Sequence, residues 1–485
     1  MLAEDLPMQF HLLAFEGPDD YARAGGIASR VSGLAQALAD AGFETHLWFV
    51  GDPDLPGHEM RDCLRLHRWS QWISRYHQTG VYDGEEGKRA DYVASLPPFL
   101  LREVLLPHLQ AGGRAVILAE EWHTADAVLH LDWLLQQAQV REQVTIFWNA
   151  NNTFGFQRID WGQLAAAATL TTVSRYMKQL MQGLGVTPLV IPNGLPLEAL
   201  VPPPREAVAA LRTHLRHRTV VTKVARWDPD KRWLLAIDTV GVMKDLGWKP
   251  LLIARGGVEE HGHEVLASGM ARGLRVVELT LSGSGVRALL LSLTALEDVD
   301  MVSLRSPLDA EACRVLFQGS HAVLSNSGHE PFGLVGLETM AVGGVACTGC
   351  SGEDYALPGY NALVLQTADP REFIGLFGAL RRHRGEEHAL RRAACLTAKQ
   401  YTWPQIIQRI LLPRLALQAP LWSLPPRRQP NRGVRGKMTV HITQRLSITQ
   451  PVDHCRSAPE RLAGGSLAQG GILVKDLPDL RTRGL

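Results

Sequence analysis

Twice along this chain, short apolar β-rich runs alternate with segments of helical spacing, and Val201-Pro202-Pro203-Pro204 stands between the two series. Alternation of that kind builds parallel sheets with helices on their faces. In the first series Phe10 to Phe15, Thr45 to Val50, Ala115 to Ala119, Val144 to Trp148 and Leu189 to Ile191 read as buried strands. Between the first two, Val31, Leu34, Ala35 and Leu38 repeat at helical spacing, and Gly42 stands where a helix stops. The prolines deny backbone donors to any helix or central strand, which makes them a linker. Beyond them come Val220 to Val224, Leu251 to Ile253, Val276 to Leu279, Asp300 to Leu304, Ala322 to Ser325 and Val345 to Thr348, with Trp233 to Leu246 as one of the helices. The expected architecture is α/β: two Rossmann-like, doubly wound domains facing each other across a cleft, since open α/β sheets bind ligands where loops leave the carboxyl ends of strands. The predicted boundaries are 1–204 and 205–400, then a terminal helix at 401–418 packing back across the domains. A basic tail at 419–485, opened by Pro425-Pro426-Arg427-Arg428-Gln429-Pro430, is expected to be disordered.

With 485 residues, 46% of them hydrophobic and 20% charged, the chain has the means to bury two large cores. Fifty basic side chains against 49 acidic ones leave a net charge of +1, so no overall field gathers nucleic acid, and any anion site must be local. Six cysteines in so long a chain make no disulfide framework, and Met1-Leu2-Ala3-Glu4-Asp5 has neither the basic start nor the apolar stretch of a signal peptide. A reduced, cytosolic setting is expected. The apolar window Ala288 to Leu296 falls short of the ~18–20 residues needed to cross a bilayer.

Three places carry chemistry. Gly25-Gly26 at the first strand–helix junction lets backbone N–H groups approach an anion at a helix N-terminus. The loop Ala225-Arg226-Trp227-Asp228-Pro229-Asp230-Lys231 places two cations at a strand end, for which phosphate is the natural partner, while pairing of Arg226 and Lys231 with their own aspartates is the structural alternative. The most specific stretch, Ser327 to Ala341, follows a short strand and opens a helix. It places Glu330 in the loop and Glu338 on the helix behind it, two acceptors for different hydroxyls of one ligand. The amides of Gly333 and Leu334 stand at that helix N-terminus, suited to a diphosphate.

Together these motifs resemble the retaining glycosyltransferases of the GT-B fold, family 4, related to bacterial glycogen and starch synthases. The resemblance covers about residues 8 to 418 and rests on Gly25-Gly26, Glu121-Trp122-His123-Thr124-Ala125, Thr172-Val173-Ser174, Ile191-Pro192-Asn193-Gly194, Arg226 to Lys231, Glu330 to Glu338 and Gly349 to Glu353, in that order. It implies transfer of a hexose from a nucleoside diphosphate sugar to a carbohydrate or lipid-linked acceptor, with an α-glycosidic bond formed and no obligatory metal. Arg226 and Lys231 would then bind the donor diphosphate, Glu338 the ribose hydroxyls and Glu330 the donor sugar. Phe332, Gly333 and Leu334 would line the sugar, Gly25, Gly26 and Asn193 would complete the donor site, and His123 would hydrogen-bond the transferred sugar near its reacting carbon. A buried core histidine is the plain alternative for His123.

Arg23 near a lysine of the glycogen synthases, Ala225 for a common glycine and Phe332 for their cysteine set the chain apart from the glucan polymerases. Nucleotide-sugar epimerases and phosphorylases share the fold class, and a non-catalytic nucleotide-sugar-binding protein is a third reading. Gly283-Ser284-Gly285-Val286-Arg287-Ala288 fits a dinucleotide fingerprint only loosely, and Cys347-Thr348-Gly349-Cys350 and His261-Gly262-His263 each lack the partners a zinc site needs. Apolar residues mixed with arginine from Ile406 to Leu415 suggest either peripheral membrane contact or the final packing helix.

Overall fold

The computed structural model describes residues 7–418. The basic tail at 419–485 and the first residues of the chain lie outside the described residues.

The first sheet has eight strands: β1 (Met8–Leu13), β2 (Glu44–Val50), β3 (His58–Arg61), β4 (Leu64–Trp69), β5 (Arg114–Glu120), β6 (Val144–Ala150), β7 (Thr169–Thr172) and β8 (Leu189–Val190). Their order is β3-β4-β2-β1-β5-β6-β7-β8, with the β3–β4 pair antiparallel and the other pairs parallel. The second sheet is wholly parallel: β9 (Thr219–Val224), β10 (Pro250–Arg255), β11 (Val276–Leu279), β12 (Met301–Leu304), β13 (Ala322–Ser325), β14 (Ala346–Thr348) and β15 (Leu363–Val364), in the order β11-β12-β10-β9-β13-β14-β15. The two α/β domains expected from the alternating pattern are thus present.

In each sheet the chain winds outward from a central strand and then returns to that strand's other side. β5 comes back beside β1, and β13 comes back beside β9. Crossover helices leave opposite faces at such a reversal, and the strand ends there open a crevice. The first crevice is flanked by the loops after β1 and β5, the second by the loops after β9 and β13.

Four strands escape the apolar pattern. β4 buries His67 and Arg68, β7 buries Thr171 and Thr172, β3 is largely exposed and β15 is only two residues long. Polar groups are tolerated inside because each finds a partner: Thr172 Oγ1 donates to the Ala150 carbonyl at 2.8 Å, and the Arg68 guanidinium meets Asp19 at 2.8 Å.

The final segment runs from Trp403–Ile406 through a widened turn, Ile407–Leu411, to Leu412–Gln418. Trp403, Ile406, Ile407, Leu411 and Leu415 are buried in one cluster with Phe10, Leu12, Val31, Leu34 and Ile191. The apolar side that suggested membrane contact is therefore inside, packed on the first domain. Two glycines permit this approach, since a Cβ on Gly33 would fall 2.4 Å from Trp403 Nε1 and one on Gly194 2.5 Å from its ring. Among the described residues no helix is long and apolar enough to cross a membrane.

Candidate active site

The loop after β9 is built by its own aspartates. Asp228 caps the turn Pro229–Lys231 by accepting from the Asp230 amide at 2.8 Å. Asp230 reaches across to the loop after β13, where its carbonyl accepts from Gly328 N at 2.7 Å and its carboxylate from His329 N at 3.0 Å. The two strand-end loops are held as one unit, and that places Lys231 Nζ 2.7 Å from Glu330 Oε2. Ser327 Oγ donates to the same oxygen at 2.7 Å, and the Glu330 amide donates to Ser351 Oγ at 2.8 Å. Arg226 stands exposed, its carbonyl anchored by Trp233 Nε1 at 2.7 Å. Aspartates thus shape the loop, while Lys231 is left to an acidic partner from another strand.

Behind this pair the helix Leu334–Ala341 starts from Gly333, whose φ of 70° lies in the left-handed region. A Cβ there would stand 2.8 Å from Glu353 Cγ and 3.2 Å from Glu330 Cγ. Gly333→Ala is expected to cost about 1–3 kcal/mol of stability through backbone strain and to push Glu330 off Lys231. A lowered Tm together with weakened nucleotide binding is the outcome to look for.

Glu338, on that helix, keeps only part of its surface in solvent, and the loss of water from the rest lifts its carboxyl to about 7. Glu353 is buried; first burial and then the charge of Glu330 raise it to about 8, although the Gly349 amide donates to its Oε1 at 3.3 Å. Its Oε2 is buried without a hydrogen-bond partner. For Glu338 the folded value lies above that of an ordinary carboxyl, so the folded chain holds the proton more tightly than the unfolded one. The stability this provides is complete below the ordinary carboxyl range and is lost as pH rises through about 7. Glu338→Gln is therefore expected to raise the Tm by a few degrees at about pH 8 and to leave it unchanged near pH 4, as a pair of melting curves would show.

On the first domain, the loop after β5 turns sharply at Glu121, whose φ is 68° and whose buried carboxyl is lifted to about 8, chiefly by burial. His123 follows on the short turn Trp122–Thr124. Its ring is buried, stacked on Phe15 with centroids 4.4 Å apart, and its Nε2 meets Glu85 Oε1 at 2.6 Å. Its Nδ1 is buried without a hydrogen-bond partner. Burial lowers the affinity of this ring for a second proton, against the pull of Glu85.

Other predicted residues meet protein partners. Glu16 Oε2 accepts from the amides of Gly25 at 3.1 Å and Ala28 at 3.0 Å, so a carboxylate of the chain itself sits at that helix N-terminus, and Tyr82 donates to its other oxygen at 2.5 Å. Asn193 Oδ1 accepts from Arg30 Nη1 at 2.7 Å. The Phe332 ring is buried against Tyr355, centroids 5.7 Å apart, so its side chain serves the core. The structure thus brings Lys231 onto Glu330 beside Gly333, with Leu334 and Glu338 on the helix that Gly333 starts, and sets Asn193 in a buried network of the first domain. Glu16, Tyr82 and Glu85 escaped the sequence reading, because no local pattern ties them to their partners.

Loops from both sheets meet. Asp354 accepts from the backbone of Arg175 at 2.8 Å and from its Nε at 3.1 Å, at the N-terminus of the helix Arg175–Gln182. Tyr176 and His329 stack with centroids 6.4 Å apart. One apolar cluster runs from Trp148 and Met177 to Phe332, Met340 and Tyr355.

No protein-family model matches the chain, and no curated protein matches its sequence. Solved structures do match its fold. Sucrose-phosphate synthase from Thermosynechococcus elongatus superposes with a TM-score of 0.57 at 18% identity, covering 85% of this chain and 100% of that one. The catalytic domain of starch synthase IV from Arabidopsis thaliana, bound to ADP and acarbose, gives 0.57 at 15% identity over 84% of this chain and 100% of that one. A UDP-forming α,α-trehalose-phosphate synthase from Burkholderia xenovorans, in complex with glucose-6-phosphate, gives 0.56 at 12% identity over 84% and 99%. What this chain shares with these structures is the GT-B fold, with two parallel-sheet α/β domains.

Proposed function

We propose that this chain is a retaining glycosyltransferase that moves a hexose from a nucleoside diphosphate sugar to a carbohydrate acceptor, forming an α-glycosidic bond. The observation that carries the reading is the Lys231–Glu330 pair at 2.7 Å, held by joined loops at the reversal point of the second sheet, with Glu338 on the helix that follows. Neighbours of the same fold crystallised with ADP and with a sugar phosphate support it.

In this reading the diphosphate lies against Lys231, Arg226 and the amides after Gly333. Breaking the glycosidic bond leaves negative charge on the diphosphate, which those cations and the helix N-terminus stabilise in the role a metal fills at other phosphate sites. Glu330 holds the donor sugar and Glu338 the ribose, and the leaving phosphate itself serves as the base for the acceptor hydroxyl. His123, fixed by Glu85, stands beside the transferred sugar.

A thermal-shift series with UDP, ADP, GDP and their glucose, mannose and N-acetylglucosamine conjugates tests this. Stabilisation by one nucleotide family, abolished in Lys231→Ala and Glu338→Ala, is the expected result. No stabilisation by any of them would overturn the donor site.

A further inference from the structure

β9 is the central strand of the second sheet, and its position 223 faces the fold's interior, where an apolar side chain ordinarily stands. Lys223 occupies it, 1% exposed. Its nitrogen reaches two uncharged acceptors, the Leu324 carbonyl at 3.3 Å and Asn326 Oδ1 at 3.2 Å, and lies 5.4 Å from the ring centroid of Trp233. An ammonium has three protons to place and prefers contacts below about 3 Å. These contacts are long for a charged donor.

The charged and titratable groups around it are Lys231 and Arg232 from the loop after β9, Glu330 from the loop after β13, and Cys347 on β14. Two are cations, and the carboxylate among them is already paired with Lys231. Burial first, and the Lys231 charge second, draw the amine down to about 7. An anion arriving beside Lys231 shifts this balance, because it adds negative charge where positive charge prevails.

Resting on the donor-site reading above, we propose that Lys223 is a proton-linked positioning residue, taking up a proton from solvent when a nucleotide diphosphate binds beside Lys231. The lone pair on Nζ accepts the proton and no bond to the ligand forms. The resulting ammonium draws in the Leu324 carbonyl and Asn326, the root of the loop that carries Glu330. Proton uptake and anion binding are then reciprocal, so affinity falls by up to about tenfold per pH unit once pH exceeds the amine's own value.

Titration calorimetry of the full chain with UDP, ADP and GDP at about pH 8, in buffers of different ionisation heat, reads the proton directly. The expected result is a buffer-dependent binding enthalpy that reports proton uptake. Uptake should vanish in Lys223→Met and in Lys223→Arg, with the permanently charged arginine also flattening the dependence of affinity on pH. Intact binding with a buffer-independent enthalpy would overturn the role of Lys223 while leaving the donor site standing, and the comparison needs no variant to fold. Uptake that persists in both variants would also overturn it. No binding of any of the three nucleotides would remove the donor reading and this inference together.

Discussion

Transfer by a Lys231→Ala variant is expected to run about 10²- to 10³-fold below that of the unaltered chain, the loss typical of removing one preorganised group from developing charge. The side chain is 21% exposed and lies 2.7 Å from Glu330, so its position is fixed before any ligand arrives. Its loss acts twice. The diphosphate loses a cation that counts most as the bond breaks, and Glu330, with Glu353 close enough to feel its charge, loses its counter-ion. The first effect lowers kcat and the second raises KM, so the two should be measured separately. Lys231→Arg restores charge without the same point geometry and should recover activity in part. A decline smaller than about fivefold in kcat/KM would sink the assignment of Lys231 to the reacting diphosphate.

The second large effect is on stability. Arg30 is 3% exposed and donates through Nε to both oxygens of Glu120 at 3.0 Å. Asn149 and Asn151 each donate to Glu120 Oε2 at 2.8 Å, Asn193 accepts from Arg30, and the guanidinium lies 5.7 Å from the ring centroid of Trp403. Arg30→Met leaves a buried carboxylate with neutral donors alone, which is expected to cost about 3–5 kcal/mol. Adding Glu120→Gln removes that stranded charge, so the double variant should melt above Arg30→Met alone. A double variant no more stable than the single one would show that the packing of Arg30 on Trp403, rather than its charge, matters most.

The same network shows what Asn193 meets inside the first domain. Its segment, Ile191 to Gly194, has a recognisable form; Gly194 admits Trp403, and Asn193 Oδ1 accepts from Arg30. Both partners lie far away in the chain. Gly25-Gly26 repeats the lesson. The glycine pair before a helix leaves amides free for a negative group, and Glu16, folded back from the end of β1, supplies one to Gly25.

What the sequence by itself determined is local in origin. Apolar runs of strand length marked eleven of the fifteen strands among the described residues, the prolines stand between the last strand of the first sheet and the first of the second, and Ser327 to Ala341 leads from a strand through a loop into a helix as its pattern implied. Each of these is set by neighbours a few residues apart, through backbone geometry and side-chain period. The tertiary structure alone decided which buried polar groups meet. His123 finds Glu85 38 positions away, Lys231 finds Glu330 across 99, and Lys223 finds Asn326 across 103. Such pairs are chosen by the order of strands in the sheet, which brings distant loops to the same edge, and a buried charge must then take whatever partner that edge provides.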